Sequence, residues 1–486
     1  MNLELLAPEL SLGATAIAVI LLDLFIERKG LLAVLSIVGL TVAAGLTLAL
    51  WGDAPREAVA GMLSVDNFSL FFKLLFIGIA GLVILASVDY SSKFANFRGE
   101  YHALILLATL GMMLMAASTE MVTTYIALEL TSISLYVLTG FLKDPKSTES
   151  SLKYLLLGAI ASAVLLYGMA LVFGSTGTTQ FAEIAVAIQG LGASGVADNP
   201  ALVLGIVLII AGFGFKIAAV PFQMWVPDVY EGAPTPVVAF LSVASKAAGF
   251  AIILRIFSSA FGTPEWLSSN WGMIFAVLAA IGMTVGNVTA LVQTNVKRMF
   301  GYSSIAQAGY LMVGLAALGL ASSSSTLAQG TVIFFLLSYA VANLGAFIAI
   351  IAITSRTGSD LIEDFSGMGK RAPVLALALT LSLISLIGMP PAAGFMAKFY
   401  IFSGALQSDL LWLVIIAVLN SVVSAFYYLR VVKLMWLGEP ASEEKLSSSV
   451  ALRVALGLAC LGVLILGIVP GAAMKVAETA ASIFGS

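Results

Sequence analysis

Runs of about 20 predominantly apolar residues, each long enough to cross a hydrocarbon layer about 30 Å thick, recur fourteen times along the chain. They fall at 5–26, 31–51, 66–88, 101–117, 121–142, 151–173, 201–230, 235–261, 271–293, 300–320, 327–353, 372–402, 409–437 and 450–469. Between the sixth and seventh, FAEIAVAIQ has the spacing of a short amphipathic helix lying on a membrane surface. The pattern predicts an all-α polytopic membrane protein with about fourteen transmembrane helices.

Two of these segments are long because prolines interrupt them, Pro221 and Pro227 in the seventh and Pro390 and Pro391 in the twelfth. Proline removes an amide donor and crowds the preceding turn. Lipid cannot satisfy the backbone freed in this way, so a break at membrane depth needs a cover of protein or a wet cavity. Segments four to eight and nine to thirteen each hold a broken helix in fourth place with a lysine nearby. The offset of five implies that the two units enter from opposite sides, as inverted repeats. The expected organisation is three amino-terminal helices over 1–100, a first five-helix repeat over 101–262, a second, inverted one over 263–440, and a last helix with a short tail over 441–486.

Composition agrees with the pattern: of 486 residues 60% are hydrophobic and 10% charged, against about 25% charged in soluble domains. Basic residues alternate sharply. With the amino terminus outside, sixteen lie in inner loops and their flanks and two, Arg56 and Lys475, on the outer side, the bias that sets orientation. Both termini are then outside. Met1 to Pro8 has no basic leader region, so the first segment is expected to stay in place. No basic patch supports nucleic-acid binding. One cysteine and one histidine cannot ligate an iron–sulfur cluster or a structural zinc, so no cofactor is expected in this chain. Cys460 reads as a small packing residue and His102 as interfacial.

Five basic residues remain inside segments: Lys73, Lys216, Lys246, Arg255 and Lys398. A charge at the bilayer centre costs about 2.5–3.5 kcal/mol on the lenient insertion scale, and intramembrane ionisable groups by default mark a pathway. Arg255 lies near a helix end and is expected to snorkel as an anchor. Lys73 is open to either reading. Lys216 sits five residues before Pro221; Lys398, seven after Pro391, is expected about 10 Å outward of its break at 1.5 Å per residue.

The fifth segment places Tyr125, Glu129, Ser132, Tyr136, Thr139 and Lys143 at three- and four-residue steps, one face of a helix. A carboxylate on a hydroxyl-bearing stripe suits a relay lining. Weaker stripes (Ser242, Lys246 and Gly249; Ser303, Gln307 and Tyr310; Tyr339 and Asn343) also fit ordinary helix packing, and only together suggest a wet axis running Glu129, Lys216, Lys246, Lys398. Buried lysine is a sensible proton carrier, because burial disfavours its charge and a nearby carboxylate restores it. Moving the partner can swing the balance by about 4 kcal/mol, the work of moving one charge against about 170 mV.

At these residues the chain resembles the antiporter-like membrane subunits of respiratory complex I. The resemblance rests on YIALELTSISLYVL, ESSLKYLLLGAIASAVLLYG, GFKIAAVPFQMWVPDVYEGAPTPVVAFLSVASKAAGF, NVKRMFGYSSIAQAGYLM and LIGMPPAAGFMAKFYIF. It implies that Glu129, Lys216, Lys246 and Lys398 form a proton path, with Lys153 nearer the inner side. It also implies a translocating, non-redox subunit of a bacterial inner-membrane NADH-quinone oxidoreductase, driven by quinone reduction at iron–sulfur clusters and quinone in partner subunits, with antiporter-like siblings beside it. The chain lacks the path histidines of some siblings and the long lateral arm of one. The alternative is a subunit of a cation/proton antiporter or membrane-bound hydrogenase, in which the same lysines would serve.

Overall fold

The computed structural model describes residues 3–94, 97–321, 326–440, 442 and 444–484. Among them thirteen helices are long and apolar enough to cross a membrane. The remaining expected span, the twelfth, is split into Pro373–Ile387 and Ala393–Gln407. The seventh is Pro200–Ile217 followed by the short helix Val226–Gly232. In lipid only intrahelical pairing satisfies the backbone of a lone segment, and the sequence supplies the starts: Asp66, Asp144, Asn199, Asn295 and Ser449 each accept an amide of the first turn.

Depth in the bundle follows from polarity all round each helix. The most apolar stretch of the eighth span, Thr235–Ser259, is wholly buried, and the tenth and eleventh, Val296–Leu320 and Ala328–Thr357, are 89% buried, whereas the first, second, sixth and fourteenth bury between 33% and 39%. The eighth, tenth and eleventh spans therefore make the central axis, and it is they that carry the weaker polar stripes. Close approach at the periphery uses small residues: a Cβ on Gly168 would stand 2.7 Å from the Gly205 carbonyl oxygen, which holds the sixth span against the seventh.

The amphipathic helix after the sixth span is present as Phe181–Ala197, burying Phe181, Ile184 and Ile188. Two features depart from the sequence expectation. Arg56–Ala58 pairs with Leu63–Val65 in an antiparallel hairpin, closed by Val59, Ala60 and Gly61 at positive φ, where only helices were expected. The stretch after the fourteenth span, expected as a short tail, forms Pro470–Ala481. Its end returns to the third span, with Phe484 edge-on to Phe68 at 5.1 Å.

Candidate functional site

The seventh span ends at Ile217 because Ala218 turns left-handed, φ 63°. The Ala218 and Ala219 amides donate to the Phe215 and Gly214 carbonyls, at 3.2 and 2.8 Å, and the Trp225 indole donates to the Phe215 carbonyl at 3.0 Å. The break thus precedes Pro221 by four residues; the proline, in a cis peptide with Val220, holds the turn that follows instead of ejecting a residue from an ongoing helix. Tyr154 stacks on Trp225 at 4.5 Å and fixes the returning chain. Lys216, 5% exposed, lies in the last turn of Pro200–Ile217, where the helix dipole favours a cation.

Lys216 Nζ donates to Ser132 Oγ at 3.0 Å. Glu129 stands one turn earlier on that helix, half-buried at the bundle margin, and accepts from Ser162 Oγ. The expected acid and lysine thus have separate partners and form no direct ion pair: Ser132 Oγ, which accepts from Lys216, donates to the Leu128 carbonyl at 2.7 Å, while Glu129 is held by Ser162. Ser132, Tyr136, Gly158, Ser162 and Lys216 line one cavity of about 10 Å³, the lower limit for a single water. A Cβ on Gly158 would collide with the Tyr136 hydroxyl, so the absence of a side chain there admits that hydroxyl. The polar stripe of the fifth span faces this cavity through Ser132 and Tyr136.

Lys246 follows a π turn, Leu241–Ser245, inside the central span, the kind of irregularity that recurs at functional sites. Its ammonium donates to Ser304 Oγ at 2.6 Å and to the Ser304 carbonyl, with the Tyr339 ring 5.5 Å away. Ser304 Oγ is also 2.9 Å from the Tyr230 hydroxyl. Asn343 donates to Ser242 at 2.7 Å.

Lys398 differs from expectation in depth. Its backbone lies beyond the break, yet its side chain folds back and donates to the Ile387 carbonyl at 2.8 Å and to Ser421 Oγ at 3.0 Å, over the Tyr310 ring at 4.1 Å. The ammonium therefore sits at the break, not about 10 Å outward, because a lysine stem spans the short turn of Gly388 to Pro391. Gly388, at φ +91°, would bring a Cβ within 2.8 Å of Lys398 Cδ. Pro390–Pro391 is cis, like Val220–Pro221.

Between Lys246 and Lys398 the polar groups are nearly continuous. Ser303, beside Ser304, bonds the Tyr428 hydroxyl; the rings of Tyr428 and Tyr427 pack at 4.3 Å. Tyr427 donates to Asn287 at 3.0 Å, Asn287 to the Tyr310 hydroxyl at 3.3 Å, and Ser421 reaches the same hydroxyl at 3.3 Å. Gln307 donates to the Leu386 carbonyl at 3.0 Å. Sequence reasoning missed Ser162, Asn287, Ser304 and the thirteenth-span set. The last was detectable, since Asn420, Ser424, Tyr427 and Tyr428 keep the three- and four-residue step that singled out the fifth span.

Lys153 lies apart from this axis. Its side chain is 45% exposed and pairs with Asp228 at 2.8 Å and Glu149 at 2.7 Å. Arg298 also reaches Asp228, at 2.8 Å, and Glu231, at 3.0 Å, so the short helix Val226–Gly232 is pinned by cations from two spans.

The other two intramembrane cations are paired. Arg255 does not snorkel: 4% exposed, it makes two 2.9 Å bonds to Asp66 and lies over Phe68 at 4.9 Å. The partner acid belongs to a different helix start, which residue count along the eighth span could not reveal. Lys73, 0% exposed, meets Glu9 at 2.6 Å. His102 is buried against Tyr101, one turn inside the fourth span.

Comparison with known proteins bears on this arrangement. The family described as NADH:quinone oxidoreductase/Mrp antiporter, TM, matches residues 118–424, which include Glu129, Lys216, Lys246 and Lys398. NADH-quinone oxidoreductase subunit N of Dehalococcoides mccartyi is 51% identical over 98% of this chain and 99% of its own, and that of Trichlorobacter lovleyi 46% identical over 99% and 97%. Among solved structures, a chain of respiratory complex I from Thermus thermophilus with bound aureothin superposes with a TM-score of 0.81 at 32% identity, covering 96% of this chain and 98% of that one. Full-length likeness at this level, together with broken helices carrying buried lysines, leads to one conclusion: the chain belongs to the NADH-quinone oxidoreductase subunit N family, among the antiporter-like membrane subunits of complex I.

Proposed function

We propose that this chain moves protons across the membrane as one subunit of a quinone-reducing complex, using Glu129, Lys216, Lys246 and Lys398 as the proton-holding groups. The observation that carries the reading is that three buried ammonium groups each sit where a span departs from α-helix: Lys216 and Lys398 at the ends of half-helices and Lys246 after the π turn. Such places offer free carbonyls and small cavities, and breaks of this kind mark ion sites in transporters. Lys246 and Lys398 are held by hydroxyls, carbonyls and rings, and of these the hydroxyls of Ser304 and Ser421 can accept from the ammonium or, by rotation, donate to the neutral amine. The hydroxyls of Ser304, Ser303, Tyr428, Tyr427 and Tyr310 mark the route of a proton between the two, with Asn287 orienting the Tyr427 and Tyr310 hydroxyls.

In this reading the chain carries no redox centre. Its composition supports that, with one cysteine and one histidine; the quinone and iron–sulfur clusters belong to partner subunits, whose chemistry supplies the energy. The five-helix units over 101–262 and 263–440 act as inverted halves, supported by a broken span in each with a buried lysine ammonium at the end of its first half-helix. The basic-residue bias supports both termini on the outer face of a bacterial inner membrane. Lys153 serves in the outlying network that seats Val226–Gly232, near the inner opening.

The test is quinone reductase activity and proton uptake in membranes of matched complex content. Glu129→Ala and Lys216→Ala should each strongly lower both, and the double variant should be little worse than the worse single, as for groups acting in one step. Ser132→Ala, which removes the hydroxyl that accepts from Lys216, should fall between wild type and Lys216→Ala. Losses that multiply would separate the two residues, and normal pumping in either single variant would remove it from the path. Activity that depends on sodium would favour cation/proton antiport instead.

A further inference from the structure

We propose that the groove between the ends of the ninth and thirteenth spans binds an anionic phospholipid, with its phosphate between Arg430 and Lys433 and an acyl chain along the thirteenth span. The groove has a volume of about 670 Å³, with Leu291, Val422, Phe426 and Leu429 in its wall and both cations at one end. Val422 and Phe426 point outward, 59% and 70% exposed, as lipid-facing residues do.

Depth places the cations correctly. The thirteenth span, Leu411–Leu437, has 27 residues and so runs about 40 Å, exceeding the hydrocarbon layer by about 5 Å at each end. Lys433 then lies at the boundary of the hydrocarbon and Arg430 about one turn inside it. Arg430 donates to the Leu291 and Gln293 carbonyls at 3.0 and 2.6 Å, which orient the guanidinium without neutralising it. Neither cation forms an ion pair with any described residue. No acidic residue lines the groove. Two uncompensated cations above an apolar channel complement one molecule in the bilayer with the same order of parts, a phosphate above acyl chains. A choline headgroup would bring a third cation to the site, whereas a glycerol headgroup would not, so the charge selects an anionic lipid.

The intact complex, purified and placed in nanodiscs, decides this. Phosphatidylglycerol and phosphatidylcholine carrying the same photoreactive acyl chain are compared for labelling of residues 422–433. Phosphatidylglycerol should label roughly thirtyfold more than phosphatidylcholine, as two cations near the membrane surface predict. Because Arg430 also closes the ninth span, Lys433→Gln is the deciding variant: it should cut phosphatidylglycerol labelling several-fold and leave phosphatidylcholine labelling unchanged. Ala425→Trp, which fills the groove without altering charge, should lower labelling by both. Equal labelling by the two lipids in the wild type, unchanged phosphatidylglycerol labelling in Lys433→Gln, or cross-links from 422–433 to a neighbouring subunit in place of lipid would overturn the proposal.

Discussion

The Lys398 ammonium closes the half-helix that precedes it in the chain, donating to the Ile387 carbonyl across the Gly388–Pro391 turn at 2.8 Å. One side chain therefore joins both halves of the twelfth span, and its charge faces the negative end of a helix dipole. Lys398→Met keeps the stem and removes the charge. Loss of a charge-assisted hydrogen bond worth about 1.5–3 kcal/mol in a rate-determining state corresponds to a rate lower by roughly ten- to a hundredfold. The expected outcome is that loss in proton-coupled quinone reduction at matched complex content. Lys398→Arg should not restore it, because a guanidinium keeps its charge and cannot hand on a proton. A Lys398→Met complex that pumps normally would show that the residue is only a cap.

Arg255 and Asp66 form a bidentate pair almost sealed from solvent, at 4% and 3% exposure. Arg255→Ala leaves a buried carboxylate uncompensated, a change that typically costs about 3–5 kcal/mol, and Asp66 also caps the third span. Complex yield and melting temperature should therefore fall sharply in Arg255→Ala. They should recover in part in the double variant with Asp66→Ser, which keeps a capping oxygen. Recovery is read by native gel and thermal melt.

The Lys73–Glu9 pair ties the third span to the first. Breaking it from one side, by Glu9→Leu, should lower complex content, whereas Glu9→Leu with Lys73→Met should return it near wild type, since apolar replacements of a buried pair are often neutral. Activity per complex should stay constant throughout. A fall in activity per complex in the double variant would place the pair in the proton path.

The Asp228 network pins the short helix Val226–Gly232 through Lys153 and Arg298. Asp228→Asn removes the charge that both cations meet and should raise amide exchange at 226–232 several-fold over wild type. Unchanged exchange would show that the two pairs do not seat the helix.

Legibility in the sequence varied with the kind of contact involved. Spans, breaks and the fifth-span stripe could be read because they depend on local periodicity and on proline. Ser132, the acceptor for Lys216, was on the stripe that the sequence shows, but Ser162, the partner of Glu129, was not legible, since it looks like any helix-packing serine. Arg255 and Lys73 were misread or left open for a related reason: Asp66 and Glu9 lie 189 and 64 residues away. Lys398 failed on reach, because counting residues locates a backbone and not the tip of a four-carbon stem. The hairpin at Arg56–Val65 was hidden by its brevity.

The π turn at Leu241–Ser245 has a consequence for everything that follows it. One residue in excess of the α repeat advances the helix phase by about 100°, so the face that Lys246 presents to Ser304 is not the face that counting from Thr235 would assign. The direction a side chain takes and its position in the chain are uncoupled at this turn. Removing a single residue between Leu241 and Ser245 would let an ordinary α turn close there with Lys246 still facing the tenth span, because the wider turn already absorbs that residue. The span can thus lose one residue at this turn without losing the aim of its charge.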